Sequence, residues 1–420
     1  MSTDGRAKGM PSYAAVLRVP GYLPIFIVGA LSMWGDFIAR FTIAAVVYER
    51  TRSPLATATT LAVSLLPSVF GRSLFGPIVD RFPYRVVLVA AHLGRAVCVA
   101  VLIVLVVSVA PLWGIFAVLF VLEAIGGAAI AANLVLLTDF FLDRRLYARA
   151  IGLAALSEQL NQAIGLVVGG TLVVALGARY GLLADLLTFV AAAVVIAWVA
   201  PLRAVTGEHG KGLRGFFSDI RVAAGDLARH PVLFRLVLLS TVAGLAIAAP
   251  EALAIPLAGS SGWGGYLMAA PIAGAVVGIL LISRRSVESQ NAAVLPVALL
   301  MPLPLLLTAL DLPLWTIAAL WCLSGALQAF MVPLQSTFTL VTAPELRGRI
   351  FSLAGALSVS FVGLSYLAAG WIGQYVGPAR GVAICAGICL VLIALTGVRW
   401  PSAALRTAVD TAYRPGSEAA

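Results

Sequence analysis

The residues able to do chemistry in this chain are few, and most lie inside long apolar runs. Asp36 and Arg40 stand one helical turn apart within 22–48, Arg95 falls within 86–109, Glu123 within 112–137, and Glu158, Asn161 and Gln162 within 149–176. In hydrocarbon an ionised side chain costs roughly 2.5–3.5 kcal/mol on insertion scales, so such groups pair with one another or face a water-filled cavity. Asp36 lies about 14 residues into its run, roughly 20 Å at 1.5 Å per residue and close to mid-bilayer. A carboxyl at that depth can carry a proton during transport; equally, Arg40 on the same helix face can hold it in a static ion pair. Glu123 has two readings as well, a neutral protonatable acid or a partner of Arg95. Glu158, Asn161 and Gln162, spaced i, i+3, i+4, give their helix one polar face, either a cavity wall or a patch bonded to a neighbouring helix. These seven are the candidate proton-coupling and cavity residues.

Helices that cross a bilayer must position them. Of 420 residues 61% are hydrophobic and 11% charged, where a soluble domain has about a quarter charged. Twelve apolar spans of membrane-crossing length are predicted, at 22–48, 55–79, 86–109, 112–137, 149–176, 181–202, 232–258, 262–283, 289–310, 313–342, 349–375 and 379–400. Pro67, Pro250, Pro256, Pro271 and Pro333 lie inside them as kinks. The fold class is therefore an all-α membrane protein with twelve transmembrane helices in two six-helix bundles. About 20 Lys and Arg fall at the termini and in the even-numbered loops and four in the odd-numbered ones, which places both termini in the cytoplasm. The same loops account for the net charge of +10, so nucleic acid is not an expected partner. Residues 1–20 are polar and basic and do not read as a cleavable signal; the first span directs insertion. Cys98, Cys322, Cys385 and Cys389 read as small buried hydrophobes, without disulfide or metal spacing.

Arg203 to His230 is the longest polar stretch and divides the chain into a bundle at 1–202, a linker at 203–231 and a second bundle with its tail at 232–420. Within the linker, apolar residues interleave with charged ones, as in an amphipathic helix on the cytoplasmic surface or a disordered connection. A shift of 200 residues lays Arg149 on Arg349, Leu153 on Leu353, Gly170 on Gly370, Gly177 on Gly377 and Gly181 on Gly381, marking the halves as repeats. Two related six-helix halves are the layout of a secondary transporter with its site between them near the midplane. Asp185, near the start of the sixth span, reads as a helix-dipole cap, with ion transport as the alternative. Glu251, between Pro250 and Pro256, reads as a gate or structural acid, and Trp263 and Tyr266 as interfacial anchors. The second half otherwise offers uncharged groups such as Gln328, Gln335, Ser358 and Tyr366.

Gly76-x-x-x-Asp80-Arg81 with Arg85 resembles the loop 2–3 signature of the major facilitator superfamily. Gly165, Gly169 and Gly170 lie in a stretch similar to the helix 5 signature of proton-linked antiporters of that superfamily. Tyr48 to Thr57, Asp80-Arg81-Phe82-Pro83, Asp185 to Phe189 and Leu346-Arg347-Gly348-Arg349 resemble the branch containing the enterobactin exporter and macrolide-efflux permeases. The resemblance implies the twelve-helix fold, export, and a neighbourhood between the end of helix 2 and the start of helix 11. Asp80 would then contact the positive N-terminal end of helix 11, whose start carries Arg347 and Arg349, in a cytoplasmic latch that includes Arg81 and Arg85; the plainer reading is that these charges set topology.

The function expected is secondary active export of amphiphilic small molecules of drug, siderophore or natural-product type, by proton antiport and alternating access, from a bacterial inner membrane. An importer or uniporter of the same fold for a small organic solute is the alternative. The partners expected are the substrate, protons and lipid, with a monomer as the working unit. No nucleotide-binding loop and no metal-ligand cluster is seen, so neither an enzyme nor a cofactor is expected.

Overall fold

The computed structural model describes residues 12–79, 81–200, 212–398 and 400–403, with Leu405 and Thr407, apart from the side chains of 68–79, 212–219 and a few single positions. Sixteen α-helices and two short 3-10 turns make up the described chain. After the short α1 (Tyr13–Leu17) come α2 (Tyr22–Thr51), α3 (Pro54–Val79), α4 (Tyr84–Val107), α5 (Leu112–Phe140), α6 (Arg144–Leu176) and α7 (Ala178–Val199). The linker forms α8 (Gly212–Arg229). Then follow α9 (Pro231–Ala258), α10 (Gly264–Ile282), α11 (Val287–Leu300), α12 (Leu303–Leu306), α13 (Leu314–Leu327), α14 (Met331–Val341), α15 (Pro344–Val376) and α16 (Pro378–Gly397). Eleven stretches are long and apolar enough to cross a bilayer among the described residues; the remaining predicted span is α3, helical throughout.

The boundaries follow local chemistry. The fifth span begins five residues before its predicted start, because the Asp143 carboxylate accepts a bond from the Arg145 amide at 2.8 Å and caps α6. Its counterpart α15 likewise begins early, with Pro344 in the first turn, where a missing N–H costs nothing. The ninth span breaks at Met301–Pro302, and the tenth passes through a 3-10 turn at Gln328–Phe330 before Pro333. Pro250, Pro256 and Pro271 stay inside continuous helices.

The 200-residue repeat is carried by the backbone. Both α6 and α15 are 33 residues long and offset by 200. Each ends on a glycine with nearly the same torsions, Gly177 at φ 92°, ψ 164° and Gly377 at φ 88°, ψ 155°. Those angles lie in a region essentially closed to residues with a Cβ. Helix pairing repeats as well: α2 packs on α6 and α7, and α9 on α15 and α16; α3 packs on α5, and α10 on α13. The two sets meet where α6 crosses α10 and where α15 crosses α3, again equivalent pairs. At the first crossing a Cβ on Gly170 would lie 2.9 Å from the Gly265 Cα; at the second, one on Gly370 would collide with Ala58. One apolar cluster joins Phe41, Ala58, Leu61 and Leu166 to Leu253, Leu267 and Ala369.

The linker helix differs from a helix laid on lipid. Its buried residues Ala223 and Leu227 pack on Leu233, Val237, Ile350 and Leu353 of α9 and α15, so its apolar face covers protein. Cys385 and Cys389 are buried and free, as packing residues.

The α10–α13 crossing depends on glycine. A Cβ on Gly274 would fall on the Cys322 carbonyl, one on Gly278 on that of Ala326, and one on Gly325 on that of Pro271. Small residues four apart let helix backbones touch in a bilayer, where lipid offers no hydrophobic drive for association. Gly278→Leu is expected to abolish monodisperse purified protein, while Gly225→Leu on α8, where a Cβ meets open space, leaves it intact; size-exclusion profiles read both. The loop-charge orientation predicts that, with Cys98 and Cys322 replaced by Ser, a membrane-impermeant maleimide labels Ser260→Cys in intact cells and Arg284→Cys after permeabilisation.

Candidate functional site

Between α2, α4, α5 and α7 lies a network of buried charges. Arg95 on α4 is 6% exposed and donates to both oxygens of Asp36 on α2, at 2.5 and 3.4 Å. Its guanidinium lies 4.3 Å from the ring centroid of Phe189 on α7, a favourable cation–π placement. On its other side Gly126 of α5 comes so close that a Cβ there would sit 3.4 Å from the guanidinium carbon. Arg40, one turn along α2 from Asp36, turns to α5 and meets Glu123 at 3.5 Å, with the Ser64 carbonyl of α3 also at 3.5 Å. Two ion pairs thus cross between helices and tie α2 to α4 and α5. Such pairs hold in low dielectric only while both members remain.

This corrects the pairing expected from spacing. Asp36 and Arg40 share a helix face but do not bond each other, and Glu123 pairs with Arg40 rather than Arg95. Residues one turn apart on one helix project side by side, whereas a guanidinium from a facing helix meets a carboxylate end on, with two parallel N–H···O bonds.

The polar stripe of α6 divides. Asn161 is buried; its side-chain oxygen accepts from the Trp34 indole at 2.6 Å and its nitrogen donates to Ser157 at 2.9 Å, so it bonds α6 to α2. Gln162 is half-buried and Glu158 is exposed, so Glu158 stands apart from the charge network. Below it on α6, Gly165 and Gly169 press on Trp34, Phe37 and Ile38 of α2, and Gly170 on α10; the glycine signature is a packing surface here.

Asp185 is not a cap. Helix α7 begins at Ala178, three residues before its predicted start, which puts Asp185 in the second turn beyond it and fully buried. Neither carboxyl oxygen has a hydrogen-bond partner. Gly35 makes room for it: a Cβ at Gly35 would lie 2.5 Å from Asp185 Oδ1. His92, one turn before Arg95 and also buried, tilts against Phe189 with its Nδ1 unbonded. Asp185, Phe189, His92, Gly35 and Gly126 are the members of this site that spacing did not identify as such. An acid inside an apolar span with no base on its own helix face was the available signal.

In the second half Tyr366 on α15 donates to Glu251 on α9 at 2.6 Å. Arg235, near the start of α9, bonds the Thr396 carbonyl at 3.3 Å. Among the described residues, three side-chain hydrogen bonds between the halves lie near the end bearing Tyr48 and Ser53. The Tyr48 hydroxyl donates to the Pro256 carbonyl at 3.3 Å, Ser53 donates to Gln374 at 2.7 Å, and Thr171 and Tyr266 share a bond at 3.4 Å. Tyr266 therefore serves this seam between halves.

At the opposite end, Gly76 lies in α3 and Asp80 lies outside the described residues. Arg85 donates to the Ala197 and Ala200 carbonyls at the end of α7, within its own half. Arg347 donates to the Thr342 carbonyl at 3.1 Å, and Arg81, Arg347 and Arg349 are exposed. Arg85 and Arg347 thus satisfy carbonyls in their own halves instead of meeting each other.

Solved structures share this architecture at low identity. A mutant of the nucleoside transporter NupG aligns with TM-score 0.66 and 14% identity over 90% of this chain and 99% of its own. A bacterial homologue of the iron transporter ferroportin, in an inward-facing state, gives 0.65 and 14% over 93% and 100%. A bacterial homolog of the human lysosomal transporter Spinster, inward-facing and unoccupied, gives 0.64 and 15% over 94% and 99%. No curated protein sequence matches the chain. The profile of the Major Facilitator Superfamily matches residues 25–358. With that match, the twelve-span repeat and the paired charges between its helices, the chain belongs to the Major Facilitator Superfamily of membrane transporters.

Proposed function

We propose that this transporter is a proton-coupled exporter of amphiphilic small molecules. The observation that carries the reading is the uneven distribution of ionisable groups. Asp36, Arg40, Arg95 and Glu123 interlock in the first half, while the facing half offers apolar surface with the Glu251–Tyr366 bond. A cleft between two such halves would suit a molecule with both characters better than a small, highly charged ion. The ion pairs supply groups that can exchange partners when a proton or substrate arrives, which is what coupling needs.

The bundles at 1–202 and 232–420 are the moving bodies in this reading, joined by the linker at 203–231. If the base-rich loops face the cytoplasm, the seam of Tyr48, Ser53 and Gly170 closes the outer end and the cleft opens inward. Two of the similar structures are described as inward-facing, in keeping with that state. Glu158, exposed on α6 toward the base-rich end, is then an early contact for the cationic part of an entering molecule. Asp80, Arg81, Arg85, Arg347 and Arg349 would form their latch in the outward-open state, when that end closes.

Inside-out vesicles carrying the protein, given an amphiphilic fluorescent dye and an imposed pH gradient, test both parts. Gradient-dependent dye accumulation in the vesicle lumen is expected, and Asp36→Asn is expected to lower it at least tenfold. Equal rates with and without the gradient reject proton coupling, and gradient-dependent movement in the opposite direction rejects export.

A further inference from the structure

The charges of the first half do not balance. Two guanidiniums, Arg40 and Arg95, face three carboxyls, Asp36, Glu123 and Asp185. Both guanidiniums are engaged, Arg95 with Asp36 and Arg40 with Glu123. Asp185 remains, at 0% exposure and with both oxygens unbonded among the described residues. An ionised carboxylate without a partner at such a place is far costlier than a neutral acid.

Among the described residues the surroundings hold no further guanidinium or ammonium group. Helix α7 packs against α2, α4 and α6. From α2 comes Asp36; from α4 come Arg95, His92 and the Cys98 thiol; Glu123 of α5 lies beyond Arg95 and interacts electrostatically with Asp185. Helix α6 has no charged residue beyond Glu158 in its remaining length. Thr188, the nearest hydroxyl, donates to the main-chain oxygen of Asp185 at 2.7 Å and is not directed at its carboxyl. Arg95 bonds Asp36 and lies over Phe189, one turn along α7 from Asp185.

We propose that Asp185 and Asp36 share one proton, with Arg95 bonded to whichever of the two is ionised. While Arg95 is bonded to Asp36, as here, the proton sits on Asp185. When Arg95 turns to Asp185, the O–H bond of Asp185 breaks, a new O–H bond forms on Asp36, and the trio's net charge is unchanged. Asp36, whose side chain is 24% exposed, is the seat that exchanges with water; Asp185 is the dry seat. Phe189 and Gly126 both lie against the guanidinium, and Phe189 is one turn along α7 from Asp185. The use of this switch in transport rests on the proton-coupled reading, but the proton's position does not.

Infrared spectroscopy of the purified full chain in H2O and D2O tests the assignment without any substrate, by reading the C=O stretch of protonated carboxyls at neutral pH. Wild type is expected to show a band that is lost in Asp185→Asn. In Asp36→Asn the freed Arg95 bonds Asp185 and ionises it, so the same band is lost although Asp185 is present. A wild-type spectrum unchanged by Asp185→Asn overturns the assignment. If Asp185→Asn does not fold, Asp36→Asn decides alone: retention of every wild-type carboxyl band overturns the sharing of Arg95. Dye transport indifferent to a pH gradient in a protein that passes these spectral tests rejects the coupling and leaves the proton on Asp185.

Discussion

Arginine cannot shed its charge in a protein, so one placed mid-membrane dictates what surrounds it. Arg40 and Arg95 each require a carboxylate, a close-packed approach and freedom from lipid. The approach comes from Gly126 against Arg95, the shielding from Phe189, and the carboxylates from helices other than the arginines' own. Four helices of the first half are located by these two residues. Removing one member of such a buried pair leaves an uncompensated charge, typically costing about 3–5 kcal/mol. In the structure the pairs are ties between helices.

Glycine does for the halves what charge does within the first. Gly170 meets Gly265 and Gly370 meets Ala58, at crossings related by the repeat. Side-chain-free contacts pack tightly yet interlock little, so helices can roll on them. The hydrogen bonds near Tyr48 and Ser53 add a polar closure at the same end. A few such hydrogen bonds contribute less than an interdigitated core.

Much of the fold was legible in the sequence because bilayer thickness and loop charge impose coarse, additive signals. The helices and the 200-residue register of Gly177 and Gly377 follow from hydropathy and glycine position. The network was legible in membership but not in pairing. Spacing along one helix places Asp36 beside Arg40, whereas the bond direction depends on how α4 and α5 lean toward α2, a tertiary property. Asp185 shows how a small boundary error propagates. A start at 181 leaves it near the helix end and its dipole; the start at Ala178 makes it the eighth residue, and the packing of α7 buries it among charges. Glu158 and Asn161 share a helix face by spacing, but spacing cannot show that Asn161 bonds Trp34 while Glu158 is exposed.

Double-mutant cycles read by chemical unfolding in detergent address the crossed pairing most directly. Asp36→Asn with Arg95→Gln, and Arg40→Gln with Glu123→Gln, should each show a coupling of about 1–3 kcal/mol, while Asp36→Asn with Arg40→Gln should be nearly additive. Strong coupling between Asp36 and Arg40, with none between Asp36 and Arg95, would contradict the arrangement on which the site is built.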